Sequence, residues 1–128
     1  MDRIHIHSRW LEESATTVIV AHGLLDTATS VELEKVLQRI LKQRRFRLIV
    51  DLTAVTYISS AGWGIFLSEL RRIRQQGGDL CLVGMRPEVF EVYELLEFRS
   101  VLAQYPTVPE AIAAFAPVES GAPADAGG

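Results

Sequence analysis

The chain has 128 residues, 48% of them hydrophobic and 23% charged, with a formal net charge of -3 at pH 7. That is enough sequence for one domain with its own core, in the composition range of ordinary globular proteins. Nucleic-acid binding is disfavoured, because such binders carry a basic stripe, and no apolar run reaches the roughly 20 residues that span a membrane.

The chain opens on "MDRIHIHSRW", which lacks the layout of a signal peptide, so it reads as cytoplasmic and not inserted in a membrane. Residues 2–9 alternate polar and apolar, as an edge or half-buried strand does. "LEESA" is a polar turn, and "TTVIVAHG" at 16–23 is a second strand rich in β-branched residues; together they predict an antiparallel hairpin. "DTATSVELEKVLQRILKQ" predicts a helix. Thr29 and Glu32 have the spacing of a capping box, and Leu33, Val36, Leu37, Ile40 and Leu41 form one apolar stripe.

"FRLIVDLTAV" contains three consecutive apolar residues, Leu48, Ile49 and Val50, as in a central strand covered on both faces. After "TYISSAG" a second helix is predicted from Trp63, Phe66, Leu67, Leu70 and Ile73, ending in cationic residues and Gly77-Gly78. "DLCLVG" is a further buried strand, and its Cys81, the single cysteine, reads as a small buried hydrophobe. Pro87 opens a third helical pattern, "EVFEVYELLEF". "VLAQY" is a short strand or extended link, and Thr107 and Glu110 repeat the capping-box spacing before "AIAAFA". From Pro117 the sequence is small, polar and aperiodic, which predicts one domain over 1–116 and a disordered tail over 117–128. The alternation of strands and helices requires an α/β architecture with a mixed sheet and right-handed crossovers.

Catalytic arrangements are weak. His5 and His7 share one side of a strand, but no third metal ligand is near, and an exposed strand face explains them; no metal or other cofactor is expected. A Ser60–His–Asp51 triad lacks the G-x-S-x-G elbow, and "GWG" lacks the length and lysine of a phosphate loop. The chain therefore reads as a non-enzyme.

The informative stretch is "VTYISSAGWGIF". A serine before an amphipathic run is a natural N-cap, worth about 1 kcal/mol. One cap accounts for one serine and leaves Gly62 and Gly64 unexplained, since each costs roughly 0.5–1 kcal/mol in a helix. Glycines there suggest that something approaches the backbone closely. A phosphate on a helix-start serine would add about -1.5 to -2 charges where the helix dipole tolerates an anion. One surface of small neutral residues would then have two charge states.

These residues carry a resemblance. "LIVDLTAVTYISSAGWGIF" is similar to the signature of the STAS domain in the bacterial anti-sigma factor antagonist family, whose buried strand ends in Asp-Leu-Ser/Thr before a short loop. "GLLDTATSVELEKVL" and "GGDLCLVGMRPEVFEVYELLEF" resemble further segments of that family, and the likeness spans about residues 3–116. It implies a STAS-like mixed sheet of about four to five strands with about four α-helices packed on it.

The resemblance also implies partner switching. In this family the unphosphorylated domain binds a serine-kinase anti-sigma factor with a GHKL-type ATP fold, which releases the sigma factor. Phosphorylation inactivates the antagonist, and a PP2C-type phosphatase reverses it. The family's phosphoacceptor falls on Ser60. Ser59 stands where many members have aspartate, which makes it a rival acceptor. The implied partner surface comprises Asp26, Thr27, Ser59, Ser60, Ala61, Gly62 and Trp63, with Trp63 either core or contact. Other STAS roles are a partner switch acting on something other than a sigma factor, a stress-signalling scaffold, and a subunit of a membrane transport complex.

Overall fold

The structure, a computed structural model, describes residues 4–115. Strands β1 (His5–Leu11) and β2 (Thr16–Leu25) form an antiparallel hairpin. Strands β3 (Arg47–Ile58), β4 (Asp79–Val83) and β5 (Gln104–Tyr105) add to it in parallel, so the sheet runs in the order β1-β2-β3-β4-β5. Helices α1 (Ser30–Lys42), α2 (Ser60–Gln75) and α3 (Pro87–Leu95) make the three crossovers, and α4 (Val108–Ala114) follows β5. This is the mixed α/β sheet anticipated from the sequence. The tail expected from Pro117 onward lies outside the described residues.

The two faces of the sheet are covered unequally. Leu33 and Leu37 of α1, Phe66, Leu70 and Ile73 of α2, and Val89 and Tyr93 of α3 pack with Ile19, Leu48, Val50, Leu80 and Leu82 into the larger core. On the opposite face α4 covers Val18, Ile49, Cys81 and Val83 through Ala111, Val108 and Ile112. The consecutive apolar residues of β3 follow from this, because its first half is buried on both sides, as parallel strands generally are. Cys81 is 1% exposed, and burial, with a smaller contribution from Asp79, pushes its thiol up to about 12.

Three boundaries differ from the sequence reading. Strand β3 continues to Ile58, three residues past the "FRLIVDLTAV" run, because Tyr57 and Ile58 pair with Leu24 and Leu25 of β2. Helix α3 ends at Leu95 and is followed by a 3₁₀ turn at Phe98–Ser100. The capping box at the start of α1 lies one turn earlier than Thr29–Glu32. Thr29 makes no side-chain cap; instead its N–H donates to Asp26 Oδ1 at 2.9 Å, and the Asp26 N–H donates to Thr29 Oγ1 at 2.9 Å. The Ser30 N–H then donates to the Asp26 carbonyl at 2.9 Å, which is already a helical bond. Glycine closes α2: Gly77 adopts φ 83°, the left-handed stop expected there.

One carboxylate is buried between helices. Glu69 of α2 is 1% exposed, its Oε1 lacks a hydrogen-bond partner, and the nearest cation, Arg72 Nε, is 3.9 Å away. Burial raises its affinity for a proton; Arg72 offsets part of that and Glu34 adds to it. The folded chain thus holds this proton more tightly than the unfolded chain. Stability falls as pH rises from the ordinary carboxylate range through the raised folded value. Glu69→Gln, which mimics the protonated form, is expected to unfold at higher temperature than the parent at pH 8. That advantage should vanish below about pH 4, where the parent is itself protonated; thermal scans across pH read the difference.

Candidate functional site

The site is set by strand register. Leu25, the last residue of β2, is opposite Ile58, the last of β3. Asp26 and Ser59 therefore leave neighbouring parallel strands at one level, and the Ser59 N–H donates to the Leu25 carbonyl at 2.7 Å. Open α/β sheets place binding sites at these carboxyl ends. The register brings together the two segments that the sequence reading assigned to one surface.

The two serines have different positions. Ser59 is the N-cap of α2, in extended conformation, and its Oγ accepts from the Gly62 N–H at 3.3 Å. It is 9% exposed. Ser60 is the first residue of the helix and is exposed. One hydroxyl is held by the cap and the other faces solvent. No acidic residue occupies the first turn of α2, so the helix itself supplies no side-chain anion to its positive end.

Asp26 is locked in place. Besides the bond from the Thr29 N–H, its Oδ1 accepts from Thr29 Oγ1 at 3.0 Å, while that hydroxyl lies 2.6 Å from the Leu24 carbonyl. Hydrogen bonds from Thr29, backbone first and side chain second, hold the carboxyl below the usual range, so it is ionised at neutral pH. Sequence reasoning paired Thr29 with Glu32 and missed its bonds to Asp26. Their signal was the Asp26–Thr29 spacing, which is itself that of a capping box.

The remaining assigned residues divide by exposure. Thr27 is exposed and Ala61 partly so, whereas Gly62 and Trp63 are buried. A Cβ on Gly62 would meet Ile58 Cγ2 at 2.8 Å and the Leu25 carbonyl oxygen at 3.2 Å. The close approach suggested by this glycine is made by the chain's own strand ends. Gly64 is different, since a Cβ there would meet nothing within 4 Å. Trp63 is 3% exposed and packs on Phe98, with ring centroids 5.1 Å apart, and on Phe66 at 6.1 Å. It belongs to the core and supports the surface from behind.

The histidines do not assemble a metal centre. His5 and His7 are exposed, and the His7 ring stacks on His22 at 5.8 Å. Among the described residues no group of three or more potential ligands could hold a metal ion. None of the described helices is long and apolar enough to cross a membrane.

A five-stranded mixed sheet with a serine-bearing helix start at the ends of β2 and β3 defines a class. The family model of the STAS domain matches residues 11–111, and the chain belongs to that family. Among its relatives is BtrV of Bordetella bronchiseptica, named as a candidate anti-sigma factor antagonist, 33% identical over 93 residues that cover 73% of this chain and 80% of BtrV. An anti-sigma factor antagonist from Mycobacterium paratuberculosis superposes with a TM-score of 0.79 at 22% identity, covering 88% of this chain and 94% of that one. The Bacillus cell fate determinant SpoIIAA, solved in a phosphorylated form, superposes with a TM-score of 0.65 at 19% identity, covering 85% of this chain and 97% of that one. Further relatives, from Listeria monocytogenes and Staphylococcus aureus, are likewise named for a regulatory role, as anti-sigma-B factor antagonists.

The different placements of the serines and of the glycines are measurable. Ser59→Ala should lower unfolding free energy by about 1 kcal/mol through loss of the cap, whereas Ser60→Ala should change it by less than about 0.5 kcal/mol. Gly62→Ala should destabilise by about 1–3 kcal/mol through overpacking. Gly64→Ala should stabilise by roughly 0.5–1 kcal/mol through helix propensity. Urea denaturation of the four variants distinguishes these outcomes.

Proposed function

We propose that this STAS domain is an anti-sigma factor antagonist in a partner-switching pathway. Unphosphorylated, it binds a serine-kinase anti-sigma factor of the GHKL ATP fold and thereby frees the sigma factor. The kinase transfers the γ-phosphoryl group of ATP to Ser60: the Oγ–P bond forms, ADP leaves, and the hydroxyl proton passes to a base on the kinase. A PP2C-type phosphatase hydrolyses the phosphoserine and restores the binding form.

The observation that carries this reading is the exposed Ser60 hydroxyl beside the Asp26 segment, next to a serine whose hydroxyl is engaged as the cap. Ser60 can be modified without removal of the N-cap. A phosphate there adds about -1.5 to -2 charges. The nearby helix dipole stabilises that anion within the domain, while the partner meets an altered charge next to the ionised Asp26. Asp26, Thr27, Ser60 and Ala61 form the contact surface, with Ser59, Gly62 and Trp63 holding it in shape. The relationship to BtrV and the shared fold with phosphorylated SpoIIAA support the reading.

Incubation with the cognate kinase and Mg-ATP should raise the intact mass by one phosphate. Ser60→Ala should abolish the increase and Ser59→Ala should retain it; the reverse pattern would move the acceptor to Ser59. Calorimetry should show Ser60→Asp binding the kinase at least about tenfold more weakly than the parent, a loss of about 1.4 kcal/mol. Equal affinities would remove charge as the basis of the switch.

A further inference from the structure

Helix α3 exposes an apolar face that neither the core nor the Ser60 surface uses. Val89 and Tyr93 point into the core, but Val92, Leu95 and Leu96 are 37%, 79% and 48% exposed. Their spacing puts them on one helical stripe. Tyr57, at the end of β3 and 52% exposed, lines with Val92 and Trp63 a cavity of about 90 Å³, room for one small side chain. The cavity makes Tyr57 continuous with the α3 stripe. Single exposed apolar residues are ordinary, whereas a contiguous patch marks an interaction surface.

The end of α3 keeps the leucines outside. Glu97 adopts φ 58°, a left-handed conformation usually taken by glycine at this place. The turn brings Phe98 back against Trp63 and Tyr93, and leaves Leu95 and Leu96 in solvent.

Charge selects the occupant. Glu88, Glu91 and Glu97 border the stripe and are exposed. Arg86 pairs with Glu88 at 3.4 Å. Glu91 and Glu97 have no ion-pair partner among the described residues. A second copy meeting this patch through the same patch would bring like charges together, which disfavours a two-fold dimer.

We propose that the face formed by α3 and Tyr57 docks a basic amphipathic helix of another protein. Its apolar stripe lies on Val92, Leu95 and Leu96, one side chain enters the cavity beside Trp63, and Lys or Arg residues meet Glu91 and Glu97. Helix-in-groove recognition of this kind uses apolar anchors one turn apart. The inference goes beyond the Ser60 switch and does not rest on it.

The test is an NMR titration of the ¹⁵N-labelled full chain with a synthetic amphipathic peptide of leucine and lysine, and with its leucine–glutamate counterpart. The lysine peptide should shift the amides of Tyr57, Val92 and Leu95 to Glu97 and the Trp63 indole N–H, whereas the glutamate peptide should not. Leu95→Glu should weaken binding about tenfold or more, as for an interface anchor. Val31→Glu should leave binding unchanged, although Val31 on α1 is 46% exposed. Ser60→Ala should bind the peptide like the parent, so this reading and the phosphorylation reading fail separately. Equal binding of both peptides, or shifts confined to residues outside α3 and Tyr57, would overturn the proposal. So would self-association in sedimentation that Leu95→Glu abolishes, which would assign the patch to a second copy.

Discussion

The Ser59 N–H donates to the Leu25 carbonyl at 2.7 Å, where β2 and β3 end together. Everything at the candidate site follows from that level ending. Asp26 and Ser60 come from segments more than 30 positions apart, yet neighbouring strands bring those segments to one edge of the sheet without a long loop that would need ordering. Loops ordered only on binding would subtract from affinity. Here the backbone is already held by a sheet bond on one side and by the reciprocal Asp26–Thr29 bonds on the other.

Gly62 connects this backbone frame to the core. Its missing Cβ lets the first turn of α2 rest on Leu25 and Ile58, and that contact turns Trp63 inward toward Phe66, Tyr93 and Phe98. The aromatic cluster ties α2 to α3 and to the 3₁₀ turn after it. The polar rim of the site and the apolar face of α3 therefore share one rigid support. A disturbance at Trp63 would reach both, whereas one at Ser60 has no packing route inward.

Much of this was legible in the sequence because periodicity reports burial directly. The runs at Leu48–Val50 and the stripes of α1 and α2 are imposed by the sheet and its covering helices, so order and type of elements could be read off. What could not be read was competition between local bonding partners. Thr29 had two eligible partners at equal spacing, Asp26 before it and Glu32 after it, and only the position of the β2 end selects Asp26. Ser59 and Ser60 were equally plausible caps until the bond from Ser59 to Leu25 set the helix phase. Gly62 and Gly64 looked alike in sequence and have opposite surroundings, a difference that depends on contacts from residues distant along the chain.

Cys81 carries a consequence of a different kind. It is the only cysteine in the chain, lies under α4 in the middle of the sheet, and has its thiol pushed up to about 12. Thiolate is the species that oxidants and disulfides react with, and at neutral pH almost none is present here. Cys81 therefore serves the sheet as a packing residue under α4 rather than as a reactive thiol at the surface, and the serine hydroxyls at the start of α2 lie on the other side of the molecule's chemistry from it.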